Sequence, residues 1–472
     1  MKKTKIVCTI GPSTDDDNVL REMMKNGMDV ARFNFSHSEH EVHKKRFEQV
    51  CRLRDELGLN IATLLDTKGP EVRLKTFEQG SVVINDGNTF TLTTRDVQGD
   101  ASICSITFAN LPKDISVGTA ILIDDGAIEL CAQSVNSTDI TCKVVRGGKL
   151  SDHKGINVPD VNLSMPYISD ADMNDLEFGA KMGFDYIAAS FVRTGADVIY
   201  LRKFTQSLGW FNPRIIAKIE NAQGVENIDE ILEAADGIMV ARGDMGVEIP
   251  FEKIPAIQKE LIKKAYNAGK NVITATQMLE SMISNARPTR AEITDVANAI
   301  YDGSSAIMLS GETAAGKYPV EAVKTMSRIA ETTEGAIDYV GRFKKHADDL
   351  DPTITDAIAH ASVTTAHDLK AAAILTVTKS GETARTLSKF RPNCPIIALT
   401  TDETTCHQLN LSWGIESGLM DEKDNTDELI EHALQVSLNK GYLKKGDLVV
   451  ITAGVPLGIS GTTNLLKVER VE

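Results

Sequence analysis

Two short apolar runs near the middle of the chain constrain the fold more than any other stretch. The run at residues 215–219 ends in Lys218 and Glu220, and the run at 238–240 ends in Arg242 and Asp244. Apolar residues between them recur at helical spacing, at Val225, Ile228, Ile231 and Leu232. This order predicts a strand, a helix and a second strand, and parallel strands joined in this way open at the same edge.

The residues that end these runs suit a metal ion and an anionic substrate. Glu220 and Asp244 supply carboxylates for Mg²⁺ or Mn²⁺, which leaves other positions on the ion for substrate and water. Lys218 adds a positive charge beside the metal, and the glycine-containing stretch 242–244 lets backbone N–H groups approach an anion. The alternative is structural, since Lys218 and Glu220 also fit an ordinary ion pair at a barrel rim.

Six further apolar runs extend the pattern to eight strands. The predicted strands lie at residues 5–10, 29–33, 60–65, 186–191, 215–219, 238–240, 271–275 and 306–309. Eight strands alternating with helices predict a (β/α)₈ TIM barrel, an α/β fold whose active sites lie at the carboxyl ends of the strands. Those ends are polar throughout, although loops after strands are often polar for structural reasons. The residues there are Arg32, Asn34, Ser36, Asp66, Thr67, Ser190, Lys218, Glu220, Asp244, Thr276 and Glu312.

Two segments depart from the barrel pattern. Residues 69–167 alternate valine, isoleucine and threonine runs with turn signals, which predicts a small inserted all-β domain. A charged linker is predicted at residues 341–356, and strands at 373–377, 396–399, 448–452 and 465–468 then predict a C-terminal α/β domain. The predicted domains are therefore residues 1–68 with 168–345, residues 69–167, and residues 346–472.

Composition narrows the class of protein. The 472 residues allow about three domains, and 42% apolar with 25% charged residues is ordinary for a soluble globular protein. A net charge of −15 argues against general binding to nucleic acid or membrane surfaces. The sequence shows no signal peptide and no membrane-spanning run, and its seven scattered cysteines include no Cys-x-x-Cys pair. We therefore expect a cytoplasmic protein with reduced thiols and no zinc site.

Two loops approach known anion-binding patterns. Residues 311–318 nearly match a P-loop, but Tyr318 replaces the Ser or Thr that binds Mg²⁺ and Pro319 follows, so a P-loop is not expected. The loop from Thr378 to Thr383 follows a predicted strand and opens a helix, a geometry that favours an anion at the helix N-terminus. An ordinary capping turn by Ser380 explains the same loop equally well.

Two basic residues flank the inserted domain. Arg73 lies in the stretch 66–73 that leads into it, where its guanidinium could close onto phosphates, and Gly69-Pro70 could form a stiff hinge. Lys154 lies near the other junction. Taken singly, Arg73 and Lys154 are more often solvated surface charges.

Together these motifs resemble one family, pyruvate kinase, over essentially the whole chain. The resemblance rests on residues 9–12, 32–37, 65–71, 218–221, 239–248, 274–279 and 287–292, in the family's order. The departures are Met245, where leucine is usual, and Asp160, where glycine often follows proline, and neither is a candidate ligand. The resemblance implies transfer of a phosphoryl group from phosphoenolpyruvate to ADP, with the inserted domain as a lid that excludes water.

The resemblance also implies roles for the site residues. Glu220 and Asp244 would hold Mg²⁺ (or Mn²⁺), and Lys218 and Arg32 would place positive charge at the phosphoryl group and the developing enolate. Thr276 would lie near the carbon that gains a proton. The other implied contacts are the backbone of Ala241, Gly243 and Asp244 for the substrate carboxylate, Asn34, Ser36, Asp66 and Thr67 for K⁺, and Pro12, Asn34, His37, Arg73 and Lys154 for the nucleotide.

Assembly and regulation follow from the same resemblance. We expect a homotetramer with D2 symmetry, in which residues 287–290 contribute to barrel contacts. Glu71 is acidic where K⁺-independent members carry lysine, so activity is expected to need K⁺. A sugar phosphate, with AMP as the alternative, is expected as effector, although Glu382 would repel it. Its predicted site is the loop 378–383 with the loop 458–463, through Thr378, Lys379, Ser380, Thr383 and Lys440.

Two other functions fit parts of the sequence. One is another barrel enzyme that makes a metal-bound enolate, such as a Mg²⁺-dependent aldolase or lyase, which would not need Arg73, Lys154 or the inserted domain. The other is a non-catalytic relative, which would be expected to lose Lys218, Glu220 or Asp244, and the chain retains all three.

Overall fold

The first 66 residues form three parallel strands and the helices between them. The computed structural model describes residues 2–345, 353–455 and 463–472. The first elements are β1 (Lys5–Thr9), α1 (Asp17–Lys25), β2 (Val30–Asn34), α2 (His40–Leu57) and β3 (Ala62–Asp66). Asp16 caps α1 by accepting the N–H of Asn18, and Gly58 ends α2 in the left-handed conformation.

After β3 the chain leaves the barrel and forms the inserted domain. A seven-stranded sheet and a strand pair enclose a separate core that includes Phe90, Leu130 and Ile140. The elements are β4 (Val72–Arg73), β5 (Ser81–Ile84), β6 (Thr89–Thr93), β7 (Ile103–Ser105), α3 (Leu111–Asp114), β8 (Ala120–Ile123), β9 (Ile128–Val135), β10 (Asp139–Arg146), β11 (Gly148–Ser151) and β12 (Gly155–Asn157). The chain enters through β4 and leaves through β12, and these strands pair with Arg73 opposite Gly155. The predicted all-β character is confirmed apart from α3, which is too short to show a helical period.

Five more strands close the barrel. Together with the first three they form a closed parallel sheet, in the order β1-β17-β16-β15-β14-β13-β3-β2. The strands are β13 (Tyr186–Ala189), β14 (Arg214–Ile219), β15 (Gly237–Ala241), β16 (Asn271–Ala275) and β17 (Ala306–Leu309). The helices around them are α4 (Asp170–Met182), α5 (Gly195–Ser207), α6 (Ala222–Glu226), α7 (Ile228–Ala234), α8 (Arg242–Glu248), α9 (Ile254–Asn267), α10 (Arg290–Asp302), α11 (Gly311–Ala314), α12 (Pro319–Gly335) and α13 (Tyr339–Lys345). The predicted TIM barrel is confirmed, and β13 ends earlier than predicted because the chain turns at Phe191, where φ is +53°.

The two-residue period of the strands decides which side chains reach the interior. Val30, Leu64, Ala188 and Ile216 belong to one apolar cluster inside the barrel. The residues two positions further along each strand therefore point inward at the carboxyl ends. Those residues are Arg32, Asp66, Ser190 and Lys218, with Glu220 two positions beyond Lys218.

The C-terminal domain is a second α/β layer. Its five-stranded sheet has the order β20-β19-β18-β21-β22, with only β22 antiparallel to its neighbour. The elements are α14 (Ile354–Leu369), β18 (Ala373–Val377), α15 (Glu382–Lys389), β19 (Ile396–Thr400), α16 (Glu403–Leu409), β20 (Ile415–Leu419), α17 (Thr426–Asn439), β21 (Leu448–Gly454) and β22 (Thr463–Arg470). The predicted C-terminal fold is confirmed, but β20 was not predicted, because Glu416, Ser417 and Gly418 interrupt its apolar run.

The predicted linker at residues 341–356 is wrong at both ends. Helix α13 continues to Lys345 and α14 begins at Ile354, while residues 346–352 lie outside the described residues. The basic residues at the end of α13 suit a helix C-terminus. A charged stretch is also typical of a linker, so the sequence pattern alone does not show where this helix ends.

The C-terminal domain packs against the amino ends of the barrel strands. Leu411 joins the apolar cluster inside the barrel, and the hydroxyl of Tyr186 donates a hydrogen bond to the carbonyl of Gln408. This contact leaves the carboxyl ends of the strands open toward the inserted domain. Within the described ranges, no helix is both long enough and apolar enough to span a membrane.

Candidate active site

The ammonium of Lys218 lies at the centre of the carboxyl ends. Its Nζ donates to Ser190 Oγ at 2.8 Å and lies 3.1 Å from Asp66 Oδ1 and 2.9 Å from Glu220 Oε1. Burial lowers the pKa of Lys218, but the two carboxylates outweigh it and hold the pKa above its ordinary value. Lys218 is therefore a fixed positive charge at any pH near neutrality.

Asp66 and Arg32 extend this charged group across the strands β2 and β3. Arg32 Nε donates to Asp66 Oδ2 at 2.6 Å, and Arg32 Nη1 donates to Thr9 Oγ1 at 2.9 Å. Burial raises the pKa of Asp66, but Arg32 and Lys218 outweigh it, so the net shift is downward. Asp66 thus stays ionised and holds both cations in place.

Glu220 has the properties of a metal ligand. Burial raises its pKa to about 7, and Lys218 opposes that rise. Its Oε2 accepts the N–H of Phe191 at 2.6 Å. The contact of Oε1 with Lys218 lacks hydrogen-bond geometry, so Oε1 has no hydrogen-bond partner among the described residues. A buried carboxylate oxygen whose close partner is the ammonium of Lys218, in an ion-pair contact, could also bind a divalent cation.

Asp244 supplies the second carboxylate from the first turn of α8, where its side chain is exposed. In the described part of the chain, no group of three or more His, Cys, Asp or Glu side chains is placed to hold a metal. A metal at Glu220 and Asp244 would therefore need further oxygens from substrate and water, which suits Mg²⁺.

Thr276 and the start of α8 form the opposite side of the site. Thr276 Oγ1 accepts the N–H of Gly243 at 2.9 Å and donates to the carbonyl of Ala275 at 2.6 Å. Thr276 has a φ of +68°, which is rare for a β-branched residue and turns its hydroxyl back toward α8. The N–H of Gly243 is therefore engaged by Thr276 in this structure.

The side chain of Arg242 binds residues outside the site. Its Nη1 binds Asp295 on α10 at 2.8 Å, and its Nε and Nη2 donate to the carbonyls of Ala275 and Thr276. The side chain anchors the start of α8 to β16 and α10, because it points opposite to Asp244. Arg242 is a positioning residue for Ala241, Gly243 and Asp244.

The predicted K⁺ ligands lie at the ends of β2 and β3 and in the segments that follow them. Asn34 and Asp66 are paired across the two strands. Asn34 Oδ1 accepts the N–H of Ser36, and Thr67 Oγ1 accepts the N–H of Ser190. The donor set is all oxygen and includes one ionised carboxylate, which fits a monovalent cation.

A cleft of about 710 Å³ separates the inserted domain from the barrel. Arg73, Lys154, His37 and Asp244 line it, so three of the five predicted nucleotide contacts meet there, while Pro12 and Asn34 do not line it. Arg73 forms an ion pair with Glu71 and donates to the carbonyl of His153, and Lys154 pairs with Asp124 at 2.8 Å.

Comparisons with known proteins agree with this geometry. The sequence model of the pyruvate kinase barrel domain matches residues 1–323, and that of its alpha/beta domain matches residues 356–469. The pyruvate kinase of Clostridium acetobutylicum is 46% identical over all of both chains. That of Geobacillus stearothermophilus is 49% identical over the whole of this chain and 80% of its own. The chain belongs to the pyruvate kinase family.

A solved structure supports the same conclusion. A pyruvate kinase from Cryptosporidium parvum superposes with a TM-score of 0.94 and 39% identity, over the whole of this chain and 96% of its own. Family membership makes the protein a phosphotransferase with pyruvate kinase activity.

The near P-loop at residues 311–318 has a structural role in this pyruvate kinase. Its first residues form α11, and the buried carboxylate of Glu312 accepts the N–H groups of Leu279 and Ser310. Glu312 therefore joins the loops after β16 and β17 and does not face the cleft.

The loop before α15 follows β18 as predicted, but Ser380 does not cap the helix. Gly381 occupies the N-cap position with a φ of +78°, and its N–H donates to Thr378 Oγ1 at 3.0 Å. The Ser380 carbonyl accepts from Arg385 and, at 3.5 Å, from Arg214 at the start of β14. The capping interpretation by Ser380 is wrong, since glycine alone tolerates this backbone conformation at no cost.

The remaining predicted effector residues are less closely grouped. Lys379 is exposed, and Thr383 shares a hydrogen bond of 2.6 Å with Thr463. Lys440 ends α17 near Gly418 of β20, so β19 separates it from the loop after β18. Residues 458–462 of the second predicted loop lie outside the described residues.

Ser190 is a site residue to which the sequence analysis gave no role. Its hydroxyl lies between Lys218, Asp66 and the carbonyl of Thr67, to which it donates at 2.6 Å. The signal was present, because Ser190 follows Tyr186 and Ala188 at the two-residue spacing of an inward-facing strand.

Proposed function

We propose that this protein transfers the phosphoryl group of phosphoenolpyruvate to ADP, which gives pyruvate and ATP. The observation that carries the proposal is the buried ammonium of Lys218, held by Ser190, Asp66 and Glu220 at the carboxyl ends of the barrel strands. The cleft between the barrel and the inserted domain contributes Arg73 and Lys154. A fixed charge of this kind stabilises a transition state in which negative charge spreads over the phosphoryl oxygens.

Lys218 and Arg32 bind the phosphoryl group from the barrel side. Both are anchored by Asp66, so their positions are set before the substrate arrives. Preorganised charges need little rearrangement during the reaction, which is why they lower the barrier more than mobile ones. After transfer, Lys218 faces the enolate oxygen and stabilises its negative charge.

Glu220 and Asp244 hold Mg²⁺ or Mn²⁺ in this proposal. The bound ion would neutralise negative charge on the substrate carboxylate and phosphate. The fit rests on Glu220 Oε1, which is buried without a hydrogen-bond partner in the described part of the protein. Glu220 also anchors Phe191, so the ligand is fixed to the loop after β13.

The start of α8 binds the substrate carboxylate. The first backbone N–H groups of α8 follow Ala241 and include those of Gly243 and Asp244. They have no partner within the helix and favour an anion. Because Thr276 Oγ1 accepts the N–H of Gly243, a carboxylate bound there would displace the Thr276 hydroxyl. The released hydroxyl would then be available to order the water that protonates the enolate carbon.

The cleft side of the site binds ADP. Arg73 lies on β4, Lys154 directly precedes the paired strand β12, and both would contact the phosphates at the base of the inserted domain. His37, Asn34 and Pro12 would contact the nucleotide from the barrel side. The inserted domain acts as a lid, and Asn157 already reaches Glu248 of α8 at 2.8 Å. Closure would exclude water from the transferring group.

A bound K⁺ completes the positive charge near the phosphates. Asn34, Ser36, Asp66 and Thr67 provide its oxygen ligands. Glu71 engages Arg73 in an ion pair, so part of the positive charge of Arg73 is already neutralised. This supports a requirement for an added monovalent cation.

The proposal also covers the location, oligomeric state and regulation of the protein. We infer a cytoplasmic homotetramer regulated by a sugar phosphate, or by AMP, at the loop 378–383. The Arg214–Ser380 contact supports regulation, because Arg214 begins the strand whose other end carries Lys218.

A coupled assay for pyruvate formation tests the function. We expect pyruvate to appear only when phosphoenolpyruvate, ADP and Mg²⁺ are all present, with one ATP formed per pyruvate. Cleavage or aldol chemistry that proceeds without ADP would instead indicate a barrel lyase, and a folded protein without activity would indicate a binding protein.

A further inference from the structure

A second concentration of positive charge lies where the barrel meets the C-terminal domain. A small cavity near the amino ends of β16 and β17 is lined by four basic side chains and several hydroxyls. The basic residues are Lys270, Arg385, Lys389 and Arg391. The neutral polar residues include Asn271, Ser305, Ser388 and Ser412, and no carboxylate from the described residues lines the cavity.

Arg391 is fixed in this cavity and retains an unused donor. Its guanidinium lies 4.6 Å from the ring centre of Trp413 and 5.4 Å from that of Tyr266. Its Nη2 donates to the carbonyl of Gly303 at 2.9 Å and to Ser305 Oγ at 3.3 Å. The Nε is buried and has no partner within residues 2–345, 353–455 and 463–472. Leaving a buried N–H unpaired costs about 1–3 kcal/mol, so an acceptor is expected there.

Arg385 repeats this pattern on the neighbouring helix α15. One of its amino groups binds the Ser380 carbonyl, while Nη1 is buried without a partner in the described structure. Burial lowers the pKa of both Arg385 and Arg391 to about 10, and the nearby Arg214 lowers that of Arg385 further. The cavity thus has an excess of positive charge.

The neighbouring acids are engaged elsewhere. Asp236 pairs with Arg202 and Arg214, and Asp356 lies 3.4 Å from Lys389. The carboxylate of Glu334 accepts the N–H groups of Lys3 and Thr4. None of these carboxylates hydrogen-bonds to the two unpaired nitrogens, so those nitrogens still need an acceptor.

We propose that this cavity binds a small inorganic anion of the size of chloride. Its free space, about 10 Å³, is that of a single small solute such as a water molecule or a monatomic ion. A halide accepts hydrogen bonds from several N–H and O–H donors at once and neutralises part of the positive charge, whereas a water molecule is neutral and balances no charge. The site is separate from the catalytic cleft, since it lies at the opposite ends of the barrel strands.

The test compares anions at constant cation concentration and ionic strength. The thermal unfolding of the whole protein is followed while sodium gluconate is replaced by sodium chloride, sodium bromide or sodium phosphate. We expect a saturable rise in melting temperature with chloride and bromide, and an anomalous scattering peak in this cavity in crystals soaked in bromide. Absence of the halide effect or of the peak would show that the cavity holds water only. An effect of phosphate alone would also overturn the proposal.

Substitutions of residues that line the cavity test whether the halide effect arises there. Arg391→Met and, in case that variant does not fold, Lys270→Met should weaken the midpoint of the chloride response roughly tenfold or more. Arg342→Met is the matched control, because Arg342 also lies at this junction and binds the carbonyl of Tyr301 but does not line the cavity. If Arg391→Met and Lys270→Met respond to halide as the control does, the anion binds elsewhere and the assignment is refuted.

Discussion

Replacing Lys218 with methionine tests the catalytic centre most directly. The substitution keeps the length of the side chain and removes the charge that lies within 3.1 Å of Ser190, Asp66 and Glu220. Loss of one preorganised charge that faces the transition state costs about 3–4 kcal/mol, which is roughly 10²–10³ in rate. We expect at least this loss in kcat, with a smaller change in the KM for ADP, because ADP binds across the cleft.

Lys218→Met should lower the free energy of unfolding only slightly. Removing one partner of a buried ion pair usually costs about 3–5 kcal/mol. Here Asp66 keeps Arg32 as a partner at 2.6 Å, and Glu220, with a pKa of about 7, can take up a proton instead of remaining as an unpaired charge. The variant should therefore fold, and its circular dichroism and elution volume should match the wild type.

Lys5→Met is a matched control for this substitution. Lys5 is also a buried barrel lysine, but it lies at the opposite end of β1, where its Nζ donates to the carbonyl of Ile415 and lies 3.9 Å from Asp29. We expect Lys5→Met to lower the melting temperature while the turnover per folded molecule stays normal. Near-normal turnover of a folded Lys218→Met protein in the coupled assay would remove Lys218 from the mechanism.

Four further predictions concern ions, assembly, acid stability and regulation. Glu71→Lys should relieve the K⁺ requirement, and full wild-type activity in buffer free of K⁺ and Na⁺ would refute that requirement. Light scattering at micromolar concentration should give the mass of a tetramer, and a monomeric mass would contradict this assembly. Burial lowers the pKa of His43 from 6.5 to about 4, so the folded state favours the neutral ring. Its contribution, roughly 3 kcal/mol, is present above pH 6.5 and is lost as pH falls toward 4. His43→Gln should reduce that acid loss in urea unfolding, whereas His432→Gln should not. Sugar phosphates or AMP should shift the phosphoenolpyruvate saturation curve of the wild type, and Ser380→Ala combined with Thr383→Ala should abolish the shift.

Strand periodicity accounts for what the sequence predicted well. The alternation that buries Ile216 also turns Lys218 and Glu220 into the barrel, so both could be placed from their position in the strand alone. The same strand pattern placed Arg32, Asp66 and Thr276 at strand ends, and the family resemblance supplied their roles. Ser190 could have been placed by the same alternation, since it follows Ala188 by two residues.

Other features depend on contacts that sequence spacing does not encode. Arg242 comes directly after a strand, but its side chain binds Asp295 on a later helix and not the site. The strand β20 forms because β19 offers it an edge, although Glu416 and Gly418 weaken its own strand pattern. The cavity around Arg391 is assembled from barrel loops and the C-terminal domain, so no local motif marks it.

The paired strands β4 and β12 form a narrow neck through which the inserted domain is tied to the rest of the chain. A domain tethered at one place swings as a rigid body, and the barrel does not deform when it moves. Arg73 and Lys154 lie on the two sides of this neck, so any swing carries both charges in the same direction. If these charges bind the nucleotide phosphates as proposed, the angle of the lid and the strength of that binding would change together. Product release and lid opening would accordingly be a single event.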